Sequence, residues 1–255
     1  MTAPLAGRTV LVTRPAGQAA ALVQAIQAAG GTAYAFPALA VEAVPPDALG
    51  VPLARLRGAD MAIFISPSAA QFGIAAIRAG GGLSPATAVF AVGPGTARAL
   101  AAQGVGNVVT PDGQDSEALL ALPQLADVAG KRVVIVRGAG GRPLLADTLA
   151  ARGAQVDFLE CYRRVMPQAD AAPLLARWQA GGINAVTVTS AETLANLAAL
   201  LGDAGAPLLL RTPLFAPHEK IAEAARRFGV AHVIATPGGD AGLVDGLINW
   251  FRNNP

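Results

Sequence analysis

Two hydrophobic rhythms alternate along this chain. Val133-Val134-Ile135-Val136 is a short β-branched run and reads as a buried strand. Arg137-Gly138-Ala139-Gly140-Gly141 breaks it as a turn. From Pro143 to Arg152, Leu144, Leu145 and Leu149 fall at helical spacing, and Gly153 is a natural stop. Val156-Asp157-Phe158-Leu159 returns to a strand. Glu160-Cys161-Tyr162-Arg163-Arg164 stays extended but turns polar, up to Pro167.

The same plan opens the protein. Gly7-Arg8-Thr9-Val10-Leu11-Val12-Thr13-Arg14-Pro15 matches Gly130-Lys131-Arg132-Val133-Val134-Ile135-Val136-Arg137-Gly138 position for position. A helix is expected from about Ala16 to Ala29, then a strand at Tyr34–Pro37 that continues through Leu39-Ala40-Val41. A strand–helix–strand unit followed by an extended polar crossing thus occurs twice, and such a repeat constrains the fold more than any single motif.

Between and after these units the order is also repeated. Asp47 is positioned to cap a helix reaching about Arg57. Met61–Ile65 predicts a strand, Ser66-Pro67-Ser68 a helix start with an N-cap Ser and Pro in the first turn, and Gly80-Gly81-Gly82 its end. Ala88–Val92, the Gly93-Pro94-Gly95-Thr96 turn, a helix to Gly104, the short strand Asn107-Val108-Val109 and a helix starting at Asp115-Ser116-Glu117 follow. In the second half, Asn184–Val188 corresponds to the Met61 strand and Thr189-Ser190-Ala191 to its turn. Leu214-Phe215-Ala216 corresponds to Val89-Phe90-Ala91, and Pro217-His218-Glu219-Lys220 leads a helix to Gly229. His232-Val233-Ile234 precedes Thr236-Pro237-Gly238-Gly239-Asp240 and a terminal helix. Strands alternating with helices predict parallel sheets with helices on both faces. The restart at Lys131 predicts two sheets. Two connectivities satisfy this pattern: one domain per repeat with a boundary near residue 125, or crossings at Pro37–Pro45 and Glu160–Pro167 with the middle of the chain inserted.

Composition narrows the class. The 255 residues are 14% charged and 5% aromatic, with a net charge of +2. That suits a soluble α/β enzyme or binding protein and gives no reason to expect nucleic acid as a partner. Of 19 basic residues only Lys131 and Lys220 are lysines. Base composition accounts for most of that bias, although guanidinium forks also suit carboxylate ligands. Cys161 is the only cysteine, so neither a disulfide framework nor a cysteine zinc site is expected. His218 and His232 have no carboxylates at ligand spacing, and no metal or cofactor is expected. The opening MTAPLAGRTVLV lacks the form of a secretory signal, and no apolar run is read as membrane-spanning, so the expected compartment is the cytoplasm.

In open parallel sheets, ligands bind beyond the carboxyl ends of the strands. Here those ends carry Arg14, Ser66 with Ser68, Gly93 with Thr96, Arg137-Gly138-Ala139, Thr189-Ser190 and Pro217-His218. Nearly all lead into helix N-termini, where free backbone N–H groups and the helix dipole favour anions. Any one such turn is ordinary capping; their recurrence at equivalent points of both halves points to a flexible polyanion. Dinucleotide, P-loop and nucleophile-elbow motifs are missing. Tyr162 lies in the polar crossing, on one side with Glu160 and Arg164 by period-two alternation. It is either a half-buried linker aromatic or a phenol that donates a hydrogen bond into an interdomain cleft. His218 faces a similar choice between helix-start filler and carboxylate donor. His232, inside a strand pattern, and Cys161 read as structural.

Several pieces, in this order and spacing, resemble the uroporphyrinogen-III synthase family over essentially the whole chain. They are Val10–Pro15, Ile65–Ala69, Ala91–Leu100, the Gly130–Gly138 strand, Glu160–Arg164 and Val188-Thr189-Ser190. Ser68 stands where the family often has Asn, and Pro217-His218 where many members have Ser or a second Gly-Pro turn. The resemblance implies two Rossmann- or flavodoxin-like α/β domains joined by a two-stranded β-ladder, the second inserted into the first. The discontinuous domain would comprise 1–36 and 168–255, the inserted domain 46–159, and the linker strands 37–45 and 160–167. It further implies cofactor-independent cyclisation of hydroxymethylbilane, with D-ring inversion and loss of water, to uroporphyrinogen III. Tyr162 is the expected catalytic residue; Arg14, Ser66, Ser68, Gly93, Thr96, Arg137, Gly138, Ala139, Ser190 and His218 are expected to bind substrate carboxylates. A monomer without nucleic-acid or membrane partners is the default, with transient contact to the preceding enzyme left open. The competing readings are a two-lobed small-anion binding protein and a degenerate synthase-like regulatory domain.

Overall fold

The computed structural model describes residues 3–254; Met1, Thr2 and Pro255, which the sequence reading assigned to the discontinuous domain, lie outside the described residues. The chain forms two compact units, one from residues up to Ala40 and from Val165 onward, the other from Val41 to Arg164.

The first unit begins with β1 (Thr9–Val12), α1 (Ala20–Ala28) and β2 (Thr32–Ala35). The second contains β3 (Ala40–Ala43, which begins at the last residue of the first), α2 (Gly50–Arg57), β4 (Met61–Phe64), α3 (Pro67–Ala79), β5 (Ala88–Ala91), α4 (Pro94–Ala102), β6 (Val108–Val109), α5 (Ser116–Leu120), β7 (Arg132–Gly138), α6 (Leu144–Ala151) and β8 (Gln155–Val165). The first unit resumes with α7 (Ala172–Gln179), β9 (Ala185–Thr187), α8 (Ala191–Arg211), β10 (Leu214–Pro217), α9 (Glu219–Phe228), β11 (Val233–Thr236) and α10 (Gly239–Asn253).

The five-stranded sheet of the first unit runs β11-β10-β9-β1-β2, and every pairing in it is parallel. The six-stranded sheet of the second runs β3-β8-β7-β4-β5-β6, with β8 through β6 parallel. The sequence repeat equates β1 with β7, β2 with β8, β9 with β4, β10 with β5 and β11 with β6. Matched that way, both sheets have one order, the flavodoxin-like 2-1-3-4-5, and the second is a circular permutation of the first. The switch point, where connections diverge to opposite faces, falls between β1 and β9 in one unit and between β7 and β4 in the other.

Burial follows the two-residue period of each strand. In the first unit, Leu11, Val186, Leu214 and Ala216 face the helices α7 to α9, while Val10, Val12, Ala185 and Phe215 face α1 and α10. In the second, Val134 and Val136 join Phe64, Ile74, Ile77 and Leu100 on one face; Val133 and Ile135 join Ile63, Leu119, Leu145 and Leu149 on the other. Buried on both faces, such strands are near-continuous apolar runs, which is why they could be read directly.

Local differences from the sequence reading have local causes. Asp47 caps nothing: it sits inside a 3₁₀ turn, Pro46–Leu49, and α2 begins at Gly50 behind Leu49 with no side-chain cap. Helix α8 is 21 residues long and, by length and composition, apolar enough to cross a membrane, contrary to expectation. Its backbone breaks at Gly202, and Leu194, Leu197, Leu201 and Leu209 are buried in the first unit's core, so it is a kinked core helix. As expected, the strand at Val156–Leu159 stays extended beyond Glu160, to Val165.

That continuation carries a β-bulge. Arg137 pairs with Glu160, but Gly138 pairs with Tyr162, so Cys161 is the extra residue. Expected alternation put Glu160 and Tyr162 on one side. The bulge instead turns Cys161 and Tyr162 into the same buried cluster.

Candidate functional site

The second unit's switch point gathers most of the residues singled out. Ser66 follows β4 in an extended conformation and caps α3, its Oγ accepting from the Ala69 N–H at 2.9 Å. The same Oγ lies 3.0 Å from the Tyr162 hydroxyl. A serine Oγ has one proton and two acceptor sites. With one acceptor site taken by Ala69, Ser66 can donate to Tyr162 and leave the phenol proton free for a ligand. Tyr162 is only 5% exposed, with the Phe72 ring centroid 5.8 Å away. Its ring also rests on Gly138, where a Cβ would stand 2.4 Å from a ring carbon. Tyr162 is thus a core residue with its hydroxyl at the strand ends rather than a linker aromatic.

Beside it, on the other face of the sheet, Arg137 lies buried above Phe158, its Cζ 4.9 Å from the ring centroid. Its Nε donates to the Gly138 carbonyl at 3.2 Å and stands 3.7 Å from Glu160 Oε1. Part of the neighbouring turn is already committed: Ala139 N–H donates to the Tyr162 carbonyl at 2.8 Å and Gly140 N–H to Glu160 at 3.3 Å. The Ala139 amide is therefore not an available anion donor. Gly93, the extended N-cap of α4, is buried because Gln114 passes close by: a Cβ there would be 3.1 Å from Gln114 Cα. Thr96 is withdrawn into the core, 2% exposed, and does not present its hydroxyl. Ser68 sits in the first turn of α3, half-buried.

The first unit holds the other three. Ser190 caps α8, accepting from Thr193 N–H at 3.0 Å, with the Thr193 hydroxyl 2.8 Å away. His218 precedes α9 with φ 132°, in a region that favours glycine, and its ring lies against Gly238. Arg14 is paired: Asp240, at the start of α10, meets its Nη1 at 2.5 Å.

Sequence reasoning missed Asp240 as the partner of Arg14, Phe158 under Arg137, and Phe72 beside Tyr162. The repeat held a signal for the first, since an acid opens the last helix of each half, Asp115 and Asp240. The aromatic neighbours depend on long-range packing and left no local signal. Burial pushes the Cys161 thiol up to about 12, so it is no nucleophile at neutral pH. Among the described residues no three His, Cys, Asp or Glu side chains gather closely enough to hold a metal ion.

A family model described as uroporphyrinogen-III synthase HemD matches residues 20–245. The uroporphyrinogen-III synthase of Salmonella typhimurium is 39% identical over 225 residues, covering 87% of this chain and 92% of that protein. That of Escherichia coli is 37% identical over 227 residues, with the same coverage of each. Among solved structures, a mutant uroporphyrinogen III synthase from Thermus thermophilus aligns over 96% of this chain and 99% of its own, with a TM-score of 0.62 at 22% identity, a likeness of fold.

Proposed function

Because the chain belongs to the uroporphyrinogen-III synthase family, whose reaction turns hydroxymethylbilane into uroporphyrinogen III, we propose that Tyr162 and Ser66 act on the departing hydroxyl while the strand-end turns hold the substrate's carboxylates. The reaction is a hydro-lyase step. Hydroxide leaves the terminal methylene, a proton joins it to make water, and the electrons of the ring nitrogen stabilise the cation left behind. For the inverted product, the ring-D carbon that already bears a methylene bridge attacks that cation. The old bridge bond then breaks, leaving a new cation on the bridge methylene, and the free α-carbon of ring D captures it and loses its proton as the ring closes. The difficulty is regiochemical, because direct closure gives the uninverted isomer I. Each tenfold preference needs about 1.4 kcal/mol of differential stabilisation.

The observation that carries this reading is the Ser66–Tyr162 hydrogen bond at the switch point of the inserted sheet. With Ser66 as the donor in that bond, the phenol keeps a proton to offer to a departing hydroxyl. Carboxylate contacts from the first turns of α3 and α4 and from Ser68 would each contribute about 1.5–3 kcal/mol as charge-assisted bonds. A handful is enough to fold a flexible tetrapyrrole so that the inverted closure is the reachable one.

The test is incubation with freshly prepared hydroxymethylbilane followed by chromatographic separation of the isomers. Isomer III in excess over isomer I is expected. Tyr162→Phe should slow turnover clearly without abolishing it, since positioning supplies most of the rate. A Phe variant with unaltered kinetics would remove Tyr162 from the mechanism.

A further inference from the structure

The two halves place an arginine at the same point of the same fold. Arg14 follows β1 and Arg137 lies near the end of β7, strands that the repeat aligns and that border the switch points. In each half the helix after the last strand opens near an acid, Asp240 in one and Asp115 in the other. In the first unit these groups meet, and Asp240 neutralises Arg14. In the second they do not: Asp115 turns its Oδ1 to the Ala118 N–H at 2.8 Å and caps α5.

Arg137 is left with only its Nε engaged, on Gly138 and Glu160. Its two terminal nitrogens meet no acceptor among the described residues, although the side chain is just 7% exposed. Arg137 lines a pocket of about 210 Å³ within the second unit, walled by Ile135, Leu145 and Phe158, with Arg142 also lining it and Asp115, committed to its cap, at its edge. Aliphatic and aromatic walls with a guanidinium fork suit a short alkyl arm ending in a carboxylate.

We propose that this pocket takes one acetate or propionate arm of the linear tetrapyrrole and holds its carboxylate on Arg137 as Asp240 is held on Arg14. The repeat supplies the internal precedent: Arg14 holds a carboxylate of its own chain on a terminal nitrogen, whereas Arg137 has Glu160 only at its Nε and would take the substrate's carboxylate on its terminal nitrogens. The proposal rests on the reaction assigned above and makes Arg14 a structural residue and Arg137 a substrate-binding one.

Propionate serves as the probe, followed by the arginine side-chain Nε–Hε signals in two-dimensional NMR of the full chain. Saturable movement of the Arg137 signal at millimolar propionate is expected, with the Arg14 signal still; propionamide should move neither. In steady-state assays propionate should compete with hydroxymethylbilane. Arg137→Gln should raise KM about ten- to a hundredfold and abolish propionate inhibition. Arg142→Gln, at an exposed position where only the surface pair with Glu117 is lost, should raise KM a few-fold. An Arg137 signal blind to propionate, an equal response from Arg14, or inhibition that does not compete with substrate would each overturn the proposal. The NMR titration needs no turnover, so it reads the pocket even if the protein failed to cyclise hydroxymethylbilane, which would instead overturn the assigned reaction.

Discussion

The ring of Tyr162 lies directly on the backbone of Gly138, its pairing partner in β7, and a β-carbon there would stand 2.4 Å from the ring. No side chain is tolerated at that approach, so Gly138→Ala must displace the tyrosine or the strand. Overpacking of this kind costs about 1–3 kcal/mol. The variant should remain folded with a lowered melting temperature, and its kcat should fall at least as far as that of Tyr162→Phe, because the whole phenol moves. Melting curves and turnover of the two variants side by side check this; a fully active Gly138→Ala would show that the placement of Tyr162 is unimportant.

Ser66 has two duties that a double-mutant cycle separates. Ser66→Ala removes an N-cap, at about 1 kcal/mol of stability, and also the partner of the Tyr162 hydroxyl. If the two hydroxyls act as one unit, the double variant should turn over about as slowly as the slower single variant. Strictly additive losses in kcat would mean that they act separately.

His218 holds φ at 132°, a value that L side chains seldom adopt. Relief of such strain is on the order of 1–3 kcal/mol, partly offset by the extra freedom of glycine in the unfolded chain. His218→Gly should therefore gain about 1 kcal/mol and melt a few degrees higher. If the imidazole holds a carboxylate, KM for hydroxymethylbilane should rise at the same time. A lower melting temperature would show that the ring's contact with Gly238 outweighs the backbone strain.

Cys161 should be silent toward a thiol reagent at pH 8 until the protein is unfolded, since burial pushes its folded value up to about 12. A thiol free in water, as in the unfolded chain, titrates near 9.0. The folded state then holds the proton longer than the unfolded chain, and stability is fully present below pH 9. It falls as pH rises from 9 toward 12. Denaturant midpoints measured from pH 8 to 10.5 should decline more steeply for the wild-type chain than for Cys161→Ala. Equal slopes would mean that the thiol titrates alike in both states.

Much of this molecule was legible one residue at a time. Runs such as Val133–Val136 and Met61–Phe64 are strands buried on both faces, so their apolar character carries no ambiguity of phase. Ser66-Pro67 and Ser190 announce helix starts because capping chemistry is local. The inserted arrangement of two α/β sheets, implied by the family resemblance, is what the structure has. Less was legible at the site. Alternation placed Tyr162 beside Glu160, and the bulge at Cys161 turned it to the other face, next to Ser66, which is 96 residues away.

The amino-acid order alone determined where strands and helices begin, and that the chain contains one plan twice, because those features depend on neighbours in sequence: side-chain period, β-branching, caps and glycine stops. Only the tertiary structure decided which arginine pairs with an acid at its terminal nitrogen and which lines a pocket, and which hydroxyl meets the phenol. Those outcomes depend on strand register and on groups brought together across the sheets, and a shift of one residue in that register reverses the face of every side chain after it.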